Sequence, residues 1–295
     1  MYQIDNNTAA AAQPASTPVG TPGFFTDGNP ATNVPATVVT AEWLNSVQQE
    51  LINAVLGAGI TPDKTKFNQL AAAMAGRFVG MQRFVASGTY TPTPGTTRII
   101  VEVQGGGGGG GGVPITTATQ FSIGGGGASG AYAKSFLTNG FSGGIAVTIG
   151  AGGAGAAGGV AGTGATGGTS SFGALISCAG GLGGISYAAA TANGNFLIGQ
   201  TSGQPAIATG GNACNAAGNN ASIGVGTASG AQVAGTGNSS PFGGGGRGPV
   251  GGTSAGGNAT SFGSGGGGAS ANSNNAAGLP GGNGAPGVVF IWEYA

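Results

Sequence analysis

A mainly β fold, in which a short N-terminal helical region precedes a glycine-rich, sandwich-like domain of extended segments, is predicted by three features of this 295-residue chain. Eight consecutive glycines, Gly105–Gly112, follow directly on the strand-like run Arg98–Gln104. Of the 70 glycines, 61 fall after position 104, where short apolar runs at Ile145–Ile149, Ala174–Cys178 and Val288–Tyr294 punctuate them. Past Glu102 the charged residues are Lys134, Arg247 and Glu293, too few for a disordered tract held open by charge.

Glycine makes order costly, because fixing a backbone costs about 1–2 kcal/mol per residue with glycine at the high end. Almost no side-chain burial is on hand to offset it. Glycine runs can take an extended helix of three residues per turn that has no internal hydrogen bonds. Every buried peptide group in such a run must then bond to a neighbouring segment. Collagen is excluded, since no strict Gly-X-Y period runs through the region.

The elements follow in chain order. Residues 1–39, rich in Ala, Pro, Thr and Asn, form an extended attachment arm that holds little structure without a partner. Phe24 and Phe25 are its exception, either as anchors in a partner's pocket or packed on the chain's own first helix. Residues 40–80 are a short helical region. Thr40 caps a first helix with Leu44, Val47, Leu51 and Ala54 as its stripe, and Gly57 and Gly59 end it. A second helix is expected after Thr61-Pro62-Asp63, with Phe67, Leu70 and Met74 on one side. Stripes this short suit association with copies of the chain or a plain helical hairpin. Residues 84–295 read as one β-rich domain, with a first strand signal at Phe84–Thr91 and a turn at Pro92–Gly95. Two inserts are poorer in glycine, Val113–Ile123 and Ile185–Gln204.

Composition excludes several functions. Net charge is zero with 7 Lys plus Arg, so no basic patch exists for nucleic acid. The start lacks a signal-peptide pattern and no apolar stretch approaches ~18 residues, which predicts a protein neither exported by the usual signal nor inserted in a membrane. Histidine is absent, so a Ser/His/Asp or Cys/His arrangement cannot form, and Cys178 and Cys214 read as small buried hydrophobes. Glu102 and Glu293 are the one carboxylate pair of the β-domain, expected to face solvent. Glycine-rich GxGxxG matches arise by chance at this composition, and no phosphate-loop lysine accompanies them. No enzyme activity, cofactor or metal is expected. Recognition is expected on loops, and Ile185–Gln204 offers Tyr187, Asn193, Asn195, Phe196 and Gln200 as receptor contacts, unless Phe196-Leu197-Ile198 is a buried strand.

The stretches Gly20–Pro30, Pro35–Asn45 and Ala58–Asp63 resemble the N-terminal region of tail fibres and receptor-binding proteins of tailed bacteriophages and prophages. Phe84-x-x-Ser87-Gly88-Thr89-Tyr90-Thr91, Val101–Gly105, Gly168–Gly173 and Gly284–Val289 are similar to the glycine-rich C-terminal domain of many such fibres. The resemblance implies a homotrimer in the virion, made in the host cytoplasm. Its arm, with Phe24 and Phe25, would attach to a tail or baseplate protein. Its glycine-rich domain would adhere to a bacterial surface receptor, whether polysaccharide, pilus or outer-membrane protein. A structural or ice-binding polyglycine bundle is the competing class, although no fixed Thr or Ala repeat supports it.

Overall fold

The computed structural model describes residues 2–18, 20–74, 76, 78–191, 197–199, 205–220 and 222–295. The chain divides into two compact units, Met1–Arg77 and Phe78–Ala295.

In the first unit, α1 (Ala41–Gly57) begins where Thr40 accepts a hydrogen bond from the Trp43 N–H. It ends in a Schellman turn: Gly59 takes φ +73°, its N–H reaches Leu56 O, and the Ile60 N–H reaches Val55 O. Ile52 and Val55 are buried, whereas Leu44 and Val47 of the expected stripe lie exposed in the single chain. The second helix, α2, is shorter than expected, Gln69–Ala73. Asp63 does not cap it. Its Oδ1 binds the N–H and hydroxyl of Thr65, while the Gln69 amide closes the turn by bonding the Asp63 N–H and Lys66 O. Phe67 is therefore left in solvent. The arm holds more structure than composition suggests. A 3-10 turn spans Pro30–Thr32 with Asn29 as its cap, Ile4 N–H donates to Gln48, and Lys64 pairs with Asp5 at 2.6 Å.

The second unit is mainly β, as its apolar runs predict. Its described strands, in chain order, are β1 (Phe78–Phe84), β2 (Gly88–Tyr90), β3 (Arg98–Gln104), β4 (Gln120–Ile123), β5 (Tyr132–Leu137), β6 (Ile145–Thr148), β7 (Ser170–Phe172) and β8 (Ile176–Cys178). There follow β9 (Ala190–Thr191), β10 (Leu197–Gly199), β11 (Ala208–Thr209), β12 (Cys214–Ala216), β13 (Gly224–Ala228), β14 (Ala231–Val233), β15 (Ser270–Ala271) and β16 (Val288–Tyr294). Two five-stranded antiparallel sheets, ordered β1-β16-β3-β5-β12 and β11-β8-β7-β6-β2, close over one core. Ile99, Val101, Val103, Val289 and Ile291 meet Tyr90, Val147, Phe172 and Ile176 there. Alternation along β3 and β16 supplies the inward residues, as a half-buried antiparallel sheet requires.

Beyond this sandwich the glycine segments form a layer. Residues 105–111 donate to three neighbours in rotation: Gly105, Gly108 and Gly111 to Ala131, Ala128 and Gly125; Gly106 and Gly109 to Gly168 and Ala165; Gly107 and Gly110 to Ala285 and Gly282. They accept from three others, at Gly153 and Ala156, at Gly181 and Gly184, and at Gly266 and Ala269. A partner that returns every third residue is the signature of three residues per turn. Descending partner numbers make the three accepting neighbours antiparallel, and ascending ones make the three donating neighbours parallel. All these bonds are 2.8–3.0 Å long. Residues 264–269 are enclosed in the same way, by 105–111, 124–130, 235–238, 246, 257 and 282–285.

Such packing leaves no room for a side chain. A Cβ on Gly108 would lie 2.1 Å from Leu182 O, and one on Gly126 2.0 Å from Thr236 O. Neither glycine has a positive φ, so close approach alone demands them. Gly244 has no positive φ, and a methyl added there would meet nothing within 4 Å. Gly108→Ala should accordingly lower stability by about 1–3 kcal/mol or block folding. Gly244→Ala should leave it within about 0.5 kcal/mol of wild type. Thermal melting of the two variants checks the contrast.

Candidate functional site

The chain crosses the glycine layer in alternating directions, so every second connection emerges at the end remote from the sandwich. Among the described residues six do so: 113–123, 157–163, 186–191 with 197–199, 223–233, 250–254 and 270–279. Bridges tie them together, Val113 with Leu279, Pro114 with Gly159, Gly124 with Ser186, Val233 with Val250 and Ser254 with Ser270. Small apolar clusters lie beneath, Val113 with Ala269, Ala271 and Leu279, and Phe121 with Ile123 and Ala234. Above them runs an uncharged polar network. The buried Gln232 amide donates to Ser270 Oγ (2.8 Å) and Asn272 Oδ1 (2.6 Å), the Gly230 N–H also reaches Asn272 Oδ1, and the Asn275 N–H donates to Thr116 Oγ1. This network ties 113–123 and 223–233 to 270–279 and makes that end a platform, while Gln232 Oε1 and Asn275 Nδ2 are buried without a hydrogen-bond partner among the described residues.

Of the receptor contacts expected from the sequence, Tyr187 sits on this end with an exposed ring, and its carbonyl accepts a hydrogen bond from Ser122 Oγ. Asn193, Asn195, Phe196 and Gln200 lie outside the described residues. Val113–Ile123 occupies the middle of the platform, with Ile115 exposed while Phe121 and Ile123 are buried. Sequence reasoning missed the other four connections. Their signal was the replacement of glycine by β-branched residues and amides at Val160, Ile223, Val250 and Asn272–Asn275. In the first unit Phe25 packs edge-on against Trp43, with ring centroids 5.0 Å apart, whereas Phe24 is fully exposed.

A known family matches this architecture. The family described as Glycine-rich domain matches residues 84–294, most of the chain. The chain belongs to that family. It is also similar to Tail fiber protein S of Escherichia phage Mu, 39% identical over 79 residues, which is 25% of this chain. The similarity spans 15% of that protein's length.

Within the glycine-rich domain both carboxylates are committed to structure. Glu102 is half-buried and pairs with Lys134 at 2.9 Å. Glu293, expected to face solvent, is 1% exposed. It lies on the inward face of β16 in line with Ile291, and its carboxylate accepts from Thr93 N–H (2.9 Å), Thr93 Oγ1 (2.7 Å), Tyr90 Oη (2.9 Å) and Gln82 Nε2 (3.3 Å). Cys178 is buried as expected, and burial pushes its thiol up to about 12; Cys214 is exposed, because β12 is an edge strand. Among the described residues no three His, Cys, Asp or Glu side chains gather as metal ligands.

Burial pushes the Glu293 carboxyl up, but the bonds from Thr93, Tyr90 and Gln82 outweigh it, so its pKa is lowered from 4.5. A carboxylate with a lowered folded-state pKa contributes stability that is present above the unfolded value and lost as pH falls through the folded one. Wild type should therefore lose part of its stability below pH 4.5. Glu293→Gln should be less stable by about 1–3 kcal/mol at neutral pH and show a flatter acid limb. Melting temperature against pH for both proteins checks the pair of outcomes.

Proposed function

We propose that this chain is a phage tail-fibre adhesin, attached to the tail or baseplate through its N-terminal unit and adhering to the bacterial surface through the far end of its glycine-rich domain. The single observation that carries the reading is the layer itself. Its peptide groups are spent on one another, and it delivers six connections to one end as a fixed platform. The similarity to a phage tail fibre protein supplies the setting. Adhesion is non-covalent, with no catalytic step and no cofactor. Glu102 and Glu293 being engaged with Lys134, Thr93 and Tyr90 supports that choice.

The protein acts as a homotrimer in the virion. The exposed Trp43, Leu44 and Val47 of α1 support this, since a lone amphipathic helix gains most of its stability by covering its stripe. Three copies per fibre, repeated around a tail, turn weak contacts into avidity. Phe24, fully exposed, is the better anchor of the aromatic pair, and Phe25 holds the arm against Trp43.

Light scattering should give a mass three times the 27.4 kDa of one chain. Antibody raised against the protein should decorate the tails of intact virions in electron micrographs. Phe24→Ser should reduce the amount of protein carried per virion while its melting temperature stays that of wild type. A monomeric mass, or undecorated tails, would refute the reading.

A further inference from the structure

Asn-Gly dipeptides occur in the chain at Asn139, Asn193 and Asn283. Asn193 lies outside the described residues, and the other two stand in opposite surroundings. An asparagine side chain closes most readily on the next peptide nitrogen when glycine follows, because glycine has no Cβ to obstruct the approach. Closure needs that nitrogen unbonded and the peptide between the two residues able to turn.

Asn139 and Gly140 meet both needs. They lie exposed in the connection that follows β5, and Gly140 takes φ +79°. Among the described residues nothing bonds to the Asn139 amide or to the Gly140 N–H. A Cβ on Gly140 would meet Leu175 Cδ2 at 4.0 Å and nothing nearer. Asn283 is exposed as well, so exposure does not separate the two. Its peptide is fastened instead. The Gly284 N–H donates to Gly153 O (2.9 Å), and Asn283 O accepts from the Ala259 N–H (2.8 Å). The Asn283 N–H donates to Asn258 Oδ1 (2.7 Å), and its own Oδ1 accepts from the Gly155 N–H (2.8 Å). A Cβ on Gly284 would lie 2.2 Å from Gly107 O.

We infer that Asn139 is a site of spontaneous deamidation, a reaction that the glycine layer denies to Asn283. The Gly140 nitrogen gives its proton to solvent base and attacks Asn139 Cγ. The new C–N bond forms, the bond from Cγ to the amide nitrogen breaks, and that nitrogen takes up a proton and leaves as ammonia. Water then opens the five-membered succinimide at one of its two carbonyls, which leaves aspartate or isoaspartate. No oxidant or reductant takes part. The product carries a new carboxylate on a chain of net charge zero, and in the isoaspartate form the main chain runs through the side-chain methylene.

The test holds the folded full-length protein for days at mildly alkaline pH, digests samples with chymotrypsin and follows the peptides ending at Phe141 and Phe290 by mass spectrometry. Asn139 should convert at least about tenfold faster than Asn283, because Asn283 must first open locally and each ~1.4 kcal/mol of opening slows it tenfold. In concentrated urea, with no opening left to make, the two rates should come within about threefold of each other. An isoaspartate-specific methyltransferase should label the Phe141 peptide of the aged protein. An amide retained at Asn139 in the folded protein, or equal rates at the two asparagines there, would overturn the inference. So would a gap that persists in urea, since local sequence and not the fold would then set it.

Discussion

The domain depends on hydrogen bonds between backbones that approach closer than any Cβ allows. Residues 105–112 have a neighbour in each of the six directions in which their peptide groups point, three accepting and three donating. No direction is left for a side chain, and eight successive glycines follow from that geometry. At the edge of the layer the rule relaxes with the same period. Along residues 151–157 exposure repeats every third residue, and Ala151, Ala154 and Ala157 occupy the exposed positions, while Gly153 and Ala156 are buried. The glycine run and the spaced alanines are the interior and exterior forms of one three-fold repeat.

A layer of this kind stabilises itself without much apolar burial, so it needs a frame that fixes register. The sandwich provides it. β3 runs straight into residues 105–112, and β16 is reached straight from the segment that ends at Gly287. Their seven-residue pairing, Arg98 with Tyr294 through Gln104 with Val288, sets the phase in which the two glycine segments enter the layer. Glu293 reinforces that frame from within. Burying a carboxylate is costly unless it is well bonded, and here Thr93, Tyr90 and Gln82 hold the connections around β1 and β2 against β16.

Much of this was legible in the sequence. The requirement for inter-segment bonding follows from glycine and the missing charge, and the strands announce themselves through alternation at Ile99, Val101 and Val103. The Thr40 cap and the Gly59 stop of α1 stand where the residues place them. The burial of Glu293 was not legible, because period two gives a face but not which face is inward; it took the pairing of Tyr294 with Arg98 and of Ile291 with Val101 to fix it. The short α2 was obscured by competition, since Asp63 and Gln69 bond a local turn more readily than they start a helix. The platform was half legible. Two inserts stand out by length, whereas the connections at 157–163 and 250–254 are only a few residues long and become visible once the alternation of crossings assigns them to one end.

That alternation also separates what the chain must keep from what it is able to vary. Bonds within the layer are made by main-chain atoms, so their pattern does not depend on which residues stand in the connections beyond Gly112, Gly124 or Ala269. A connection there has to satisfy its neighbours, as Gln232 and Asn272 do, and to return the chain in register. Its outward residues are otherwise unconstrained by the layer. Substitution at Ile115, Val160 or Val250 therefore alters what the platform presents without reaching the hydrogen bonds that hold it up, whereas a single methyl on Gly108 meets a carbonyl at 2.1 Å. A scaffold intolerant inside and permissive at one end allows the surface at that end to change while the frame stays fixed.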